Sequence, residues 1–257
     1  MEVCSLASGS SGNCIAVRGG GTALLVDIGL SCRETVSRLR VAELDPAEIS
    51  SVIFTHNHSD HYRGAATFSK RYPVQLFANS GTAEGIDLEL HKSLEWTIFE
   101  TNQTFEIGGL SVEAFSVPHD AADPVGFVIT ENGRRLFVAT DLGQSPGLVQ
   151  LRLRESHVAV LESNHDFTMQ MQSDRPTSLK RRIIGPSGHL SNDQCADLLM
   201  AANPPGLHTL MLAHLSCDCN TPALALQSMR WALEKIRRPE IRTIALSPSE
   251  PSPWVTV

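Results

Sequence analysis

The sequence predicts a globular α/β fold, and two observations predict it. The first is composition: of 257 residues, 42% are hydrophobic and 19% charged, which is ordinary for a globular protein and excludes disorder and coiled coil. The second is order, since short β-rich runs fill the first half and helical patterns the second. A chain of this length can bury a sizeable core. Because no linker or repeat interrupts it, we expect one domain over residues 1–246.

Apolar runs bounded by turn residues predict the strands. They are Val3–Leu6, Cys14–Val17, Ala23–Val26, Val52–Thr55, Val74–Ala78, Trp96–Phe99, Leu110–Val117, Gly126–Thr130 and Leu136–Thr140. Helices are predicted over Ser31–Arg40, after a capping box that begins at Ser191, and after Thr221 as the N-cap residue. The segment 247–257 contains three prolines and is predicted to be an irregular tail.

Charge and cysteine content narrow the class of protein. No apolar run approaches the roughly 18 residues of a membrane span and no leader is evident, so we expect a cytoplasmic protein that does not enter a membrane. Six cysteines without a CxxC pair argue against a disulfide framework. The net charge of −7 argues against binding nucleic acid through overall charge, although a local basic patch would suffice.

The segment after the predicted strand Val52–Thr55 is unusually rich in metal ligands. It places three histidines and an aspartate within six positions: His56, His58, Asp60 and His61. At strand-like spacing the first two project to the same side and can hold one metal ion. The other two lie in the following turn and can face a second ion.

Further candidate ligands follow predicted strands in the same way. His119 comes after Leu110–Val117, Asp141 after Leu136–Thr140, and His214 after the apolar run 210–212. In α/β folds the ends of strands are where separated segments converge on a site. We therefore expect these residues to belong to one cluster.

The order HxHxDH, His, Asp, His resembles the metallo-β-lactamase superfamily. The resemblance implies a four-layer αβ/βα sandwich with two mixed sheets and two metal ions. It assigns His56, His58 and His119 to one ion and Asp60, His61 and His214 to the other, with Asp141 bridging both. Asp27 matches an early aspartate of the superfamily and is expected to support the ligands from behind. Zinc fits the histidine-rich set, and manganese is the alternative.

Four further stretches are similar to the YycJ/WalJ family of bacterial metallo-hydrolases. They are 6–13, 116–120, 161–166 and 188–192. That resemblance covers about residues 2 to 235 and implies exonuclease action on DNA from a 5′ end, with a tie to DNA repair. The predicted catalytic residues are Asp60, Glu162 and His189; the last two resemble a pair that protonates the leaving group. Alternatively, His189 contacts a phosphate or only packs at the helix start.

Two stretches are candidates for binding the substrate. Lys180, Arg181 and Arg182 precede His189 and could contact a phosphate backbone, although such a run is also typical of a solvated helix face. The stretch 8–13 could form an anion-binding nest or a plain hairpin. Its candidate residues are Ser8, Ser10, Ser11 and Asn13.

The leading hypothesis is a two-metal phosphodiesterase that acts on nucleic acid, and within this class a DNA exonuclease is favoured. A second hypothesis keeps the chemistry but takes a small cyclic or nucleotide diester, which the acidic net charge favours. A third is a metal-bound regulatory protein without turnover, against which the intact ligand set argues. A homo-oligomer is compatible with the sequence.

Overall fold

A computed structural model of the chain describes residues 1–257. Fourteen strands and nine α-helices follow one another, with a 3₁₀ turn at Pro46–Glu48. The strands are β1 (Glu2–Ala7), β2 (Cys14–Gly19), β3 (Thr22–Val26), β4 (Ile49–Ile53), β5 (Gln75–Ala78), β6 (Trp96–Ile98), β7 (Thr104–Ile107), β8 (Leu110–Ser116), β9 (Val125–Glu131), β10 (Arg134–Ala139), β11 (Val158–Glu162), β12 (Thr209–Ala213), β13 (Arg242–Ala245) and β14 (Val255–Thr256). The helices are α1 (Cys32–Val41), α2 (Ser59–Tyr62), α3 (Ala65–Arg71), α4 (Ser80–Leu90), α5 (Gly147–Arg154), α6 (Phe167–Gln172), α7 (Thr177–Ile184), α8 (Asn192–Ala202) and α9 (Pro222–Lys235).

The strands form two seven-stranded mixed sheets. In the first, β14, β1, β2 and β3 are antiparallel, whereas β3 to β6 are parallel. The second contains β7 to β13; β7 to β9 are antiparallel and β10 to β13 parallel. The predicted α/β class with two mixed sheets is confirmed.

The residues fall into two compact units. Unit 1 comprises residues 1–116, 121–133 and 247–257, and unit 2 comprises residues 117–120 and 134–246. Unit 1 has a core in which Leu25, Phe54 and Phe68 are completely buried. The single domain over residues 1–246 stays a prediction. The tail, predicted to be irregular, ends in the short strand β14, which pairs with β1.

Helix-capping signals in the sequence are reproduced locally. Ser31 and Ser191 each form the reciprocal capping box at the start of α1 and α8. Thr221 caps α9 by accepting a hydrogen bond from the backbone N–H of Leu224, with Pro222 in the first turn. These side chains satisfy backbone donors that the first helical turn leaves without partners.

The parallel strands of unit 2 bring functional side chains to one edge. β10, β11 and β12 are neighbours, with Ala139 opposite Leu161 and Leu161 opposite Leu212. Because parallel strands end at the same edge of a sheet, the residues at their carboxyl ends lie close together. Those residues are Asp141, Glu162 and His214.

Candidate metal centre

In unit 1 the histidine-rich segment leaves β4 and enters the short helix α2. His58 is the N-cap residue of α2, so Asp60 and His61 lie on a helical turn rather than in an irregular one. His56 Nε2 lies 3.1 Å from His58 Nδ1. Two nitrogens bound to one tetrahedral zinc ion lie about 3.3 Å apart. The pair therefore has the spacing that a shared ion requires.

Asp27, at the end of β3, organises this segment. One carboxylate oxygen accepts from the Thr55 backbone N–H at 2.9 Å, and the other from the Thr55 hydroxyl at 2.8 Å and His61 Nδ1 at 2.7 Å. A carboxylate only accepts, so Nδ1 of His61 carries the proton and its lone pair lies on Nε2. The Thr55 hydroxyl in turn contacts His56 Nδ1 at 2.9 Å. Such contacts fix the orientation and tautomer of metal-binding histidines.

The glycine-rich stretch 8–13 packs against the same segment. Asn13 is buried, and its amide nitrogen lies 3.2 Å from Asp60 Oδ2 and 3.0 Å from His61 Nε2. Ser8 is also buried, whereas Ser10 and Ser11 are exposed. Among the four candidate substrate-binding residues of this stretch, Asn13 thus contacts candidate metal ligands directly.

Gly29 allows a close approach behind the candidate ligands. A Cβ atom at this position would lie 1.6 Å from the backbone oxygen of Asp60. The Gly29 N–H donates to the Asn13 carbonyl at 2.9 Å. The absence of a side chain here lets the β3 turn and the α2 segment meet.

In unit 2, four side chains form a compact group of possible ligands. Asp141, Glu162, His189 and His214 offer ligand atoms that all lie within 4.8 Å of one another. Glu162 is completely buried, and its Oε1 accepts from His189 Nδ1 and His214 Nδ1, each at 2.9 Å. Its Oε2 accepts from the backbone N–H groups of Leu142 at 2.8 Å and Leu190 at 3.0 Å. Glu162 therefore orients both imidazoles.

The electrostatics of this pair follow from its burial and its contacts. Burial by itself would raise the pKa of Glu162, but the charge and hydrogen bond of His189 and the hydrogen bond of His214 hold it at about 2. Burial lowers the pKa of His189, and the Glu162 carboxylate more than offsets this, so that the net shift is upward. The Glu162 carboxylate is therefore charged at neutral pH, and its charge stabilises the protonated form of His189.

Asp141 lies between two histidines of unit 2. Its Oδ1 is 3.8 Å from His119 Nε2 and 3.3 Å from His214 Nδ1. His119 Nδ1 lies 3.1 Å from the Gly188 carbonyl, which can only accept a hydrogen bond. The proton is therefore on Nδ1, and Nε2 has the lone pair that can bind a cation. The donor set thus fits a divalent cation: a buried carboxylate flanked by imidazoles whose tautomers are fixed.

Three residues of the two groups described above have left-handed backbone conformations. Asp27, Asp141 and His214 have φ angles of 60°, 57° and 56°. Such angles are uncommon for residues other than glycine and persist only where the surroundings enforce them. Each residue follows a strand, so the turn of the chain aims its side chain beyond the edge of the sheet.

The three predicted phosphate-binding cations lie on α7 and differ in their contacts. Arg182 Nε contacts Asp120 Oδ2 at 2.5 Å, and Lys180 Nζ donates to the Met171 carbonyl at 2.7 Å. Arg181 is exposed. Consecutive helical residues point about 100° apart, so the run does not form a single row.

A buried amide network was missed by sequence reasoning. Asn164 Nδ2 donates to the His214 carbonyl at 2.8 Å, and Asn220 Nδ2 donates to the Asn164 carbonyl at 3.0 Å. Asn192 Nδ2 donates to Asn220 Oδ1 at 2.9 Å. The network holds the chain around His214. Asn164 and Asn192 lie in the stretches 161–166 and 188–192, where the sequence gave a role only to Glu162 and His189.

Comparison with known proteins identifies the superfamily of the chain. Residues 22–214 match the Beta-lactamase superfamily domain, so the chain belongs to that superfamily and is a metal-dependent hydrolase. A crystal structure of the metallo-beta-lactamase fold protein YhfI from Bacillus subtilis shares the fold, with a TM-score of 0.73 at 14% identity over 98% of both chains.

The particular family is given by closer relatives. The chain is 34% identical over 232 residues to the exodeoxyribonuclease YycJ of Bacillus anthracis, covering 90% of this chain and 88% of that protein. It is 30% identical over 228 residues to the exodeoxyribonuclease WalJ of Streptococcus pneumoniae, covering 87% and 85%. It belongs to the YycJ/WalJ family, which confirms the resemblance inferred from the motifs. No helix in the structure has the length and apolar character needed to cross a bilayer.

Proposed function

We propose that the chain is a two-metal exodeoxyribonuclease that removes nucleotides from a 5′ end in DNA repair. The observation that carries the proposal is its similarity to YycJ over 90% of the chain. Support comes from the group of candidate ligands in each unit, where hydrogen bonds hold imidazoles and carboxylates in fixed orientations.

The proposed ligands are the seven predicted residues. They are His56, His58, Asp60, His61, His119, Asp141 and His214. When bound, divalent ions activate water and neutralise charge on a phosphate. Zinc suits the imidazole-rich set, and manganese is the alternative.

Asp27, Glu162 and Asn13 are proposed to position the ligands. Asp27 holds His61 at 2.7 Å and Glu162 holds His214 at 2.9 Å, so each carboxylate fixes one imidazole. Asn13 Nδ2 lies 3.2 Å from Asp60 Oδ2 and is proposed to position this carboxylate. Asp60 is proposed to act both as a ligand and in aligning the attacking water.

His189 is proposed to donate a proton to the departing sugar oxygen. Its Nδ1 donates to Glu162 at 2.9 Å, and its side chain retains 20% exposure whereas Glu162 is buried. A proton donor needs an exposed face toward substrate and a partner that fixes the ring. Exposed Arg181 and the neighbouring cations of α7 are proposed to contact the phosphate backbone.

Metal analysis tests the centre. Purified protein is stripped with chelator, repleted with Zn²⁺ or Mn²⁺ and freed of excess ion before elemental analysis. We expect two equivalents in the wild type and a reduced content in both His56→Ala and His214→Ala. One equivalent in the wild type would reject the two-metal assignment.

Substrate assays test the reaction. Duplex and single-stranded DNA labelled at either end, matched RNA, cyclic dinucleotides and bis-p-nitrophenyl phosphate are incubated with each metal-loaded form. We expect mononucleotide release that begins at the 5′ end of DNA. Turnover confined to cyclic dinucleotides would favour the small-diester hypothesis, and no turnover with two metals bound would favour a regulatory protein.

A further inference from the structure

Exposed apolar side chains lie on the neighbouring helices α6 and α7 of unit 2, outside the metal centre, and together they are called the patch. It consists of Phe167, Met171 and Leu179, which are 51%, 46% and 37% exposed. Of the nine phenylalanines in the chain, Phe167 alone is exposed. Phe167 and Met171 lie on α6 one turn apart, and both face solvent. Neighbouring apolar side chains left in water often mark a binding surface.

The cations of α7 lie next to the patch. Lys180 follows Leu179 directly, and its ammonium group donates to the Met171 carbonyl at 2.7 Å, which joins the two helices. Arg181 is the next residue and is exposed. Residues Thr177–Ile184 carry three cations and no acidic residue, in a chain whose net charge is −7. The surface therefore combines an aromatic face with local positive charge.

The other end of α7 reaches the candidate ligands of unit 2. Arg182 contacts Asp120 at 2.5 Å, and Asp120 Oδ1 lies 3.5 Å from His119 Nε2. The backbone N–H of His189 donates to the Ile183 carbonyl at 2.8 Å. A helix of eight residues is about 12 Å long. A strand whose terminal phosphate lies at these ligands can thus follow α7 towards the patch.

We propose that the patch is a stacking platform for unpaired bases of the nucleic-acid strand that enters the metal centre. The proposal rests on the proposed nuclease function and adds the class of substrate, a strand with unpaired bases. Every base presents an aromatic face once it leaves a duplex, and stacking on protein aromatic residues beside cations is the usual basis of sequence-independent single-strand binding. In a continuous duplex these faces are covered by neighbouring bases. The patch therefore favours frayed or single-stranded ends.

Binding measured without turnover tests the platform. Chelator-treated protein is titrated into two fluorescein-labelled single strands, an oligothymidylate and a strand of equal length made of abasic residues, and anisotropy is recorded. We expect Phe167→Ala to weaken binding of the oligothymidylate by about 5- to 100-fold, the effect of losing one stacked base. Binding of the abasic strand should not change, and Phe167→Trp should retain base-dependent binding.

Two variants provide controls. Trp231 is 52% exposed on α9 beside Lys235, so its exposure is similar to that of Phe167 and it also lies near a cation. Trp231→Ala should leave the binding of both strands unchanged. Arg181→Ala should weaken both strands equally, because a phosphate contact does not depend on a base.

Several outcomes would overturn the proposal. One is that Phe167→Ala weakens binding of the two strands equally, and another is that Trp231→Ala weakens binding of the oligothymidylate as much as Phe167→Ala does. A wild type that binds the two strands with the same affinity would overturn the proposal as well. A dimer in sedimentation that Phe167→Ala dissociates would assign the patch to a second copy of the chain instead. If the protein cleaves DNA but its binding does not depend on bases, only the platform is rejected. If binding depends on bases but the metal-loaded protein does not cleave DNA, only the nuclease function is rejected.

Discussion

Acid should destabilise this protein through one buried histidine. His165 is 1% exposed, and its Nδ1 is a buried nitrogen without a hydrogen-bond partner. Burial lowers its pKa from the ordinary 6.5 to about 4, because a charged imidazole loses its hydration there. The unfolded chain therefore binds the proton more readily than the folded one.

The sign and size of the effect follow from this difference. The contribution of neutral His165 to stability is complete above pH 6.5 and is lost as the pH falls from 6.5 through 4. A difference of about 2.5 pKa units corresponds to about 3 kcal/mol in the free energy of unfolding. His165→Gln removes the titrating group, so the variant should lose about 3 kcal/mol less than the wild type between pH 7 and pH 4.

Urea unfolding at a series of pH values measures this difference. Chelator-treated protein keeps metal binding out of the comparison, and only the change with pH in each protein is compared. His91, exposed on the surface of unit 1, gives the control His91→Asn, which should follow the wild type. If His165→Gln and the wild type lose stability in parallel down to pH 4, the reasoning is refuted.

Three further outcomes are expected. His189→Ala should retain metal and fold but lower kcat on DNA by about 10²-fold, with a far smaller loss on bis-p-nitrophenyl phosphate, whose leaving group needs no proton; equal losses would indicate a positioning role. Gly29→Ala should lower Tm and metal content together, since its Cβ would lie 1.6 Å from the Asp60 backbone oxygen; an unchanged Tm would contradict this. Iodoacetamide should label folded protein once, at exposed Cys217, because burial raises the pKa of the Cys14 and Cys195 thiols; a second adduct in mass spectrometry would show otherwise.

Most strands and the helices α1, α8 and α9 were predictable because their signals are local. Each of the nine predicted strand runs overlaps an observed strand, and the capping box at Ser191 forms as expected. Helices α3, α4 and α5 were missed, although Asn79 caps α4, and so were the strands β7 and β13. The four-residue helix α2 was missed as well, and it begins at a histidine that makes no side-chain capping bond, so no signal marked it.

The supporting contacts of the candidate site were less predictable than its ligands. Ligand types repeat in a recognisable order, but Asn13 and Asn164 act on residues far away in sequence. Asn13 reaches Asp60 and Asn164 reaches His214, across 47 and 50 positions. Their partners are set by the fold rather than by neighbouring residues. Exposure of Phe167 was also unpredictable, since helical spacing alone does not say which face meets solvent.

The left-handed turns at Asp27, Asp141 and His214 set a limit on engineering this protein. Each such residue costs about 1 kcal/mol or more relative to a relaxed backbone. Laboratory selection for heat resistance alone would favour glycine at these three positions, because glycine adopts positive φ without that cost. The same substitutions would delete a buried carboxylate or imidazole. Thermostable variants should therefore be sought among substitutions elsewhere, with metal content scored beside the melting temperature.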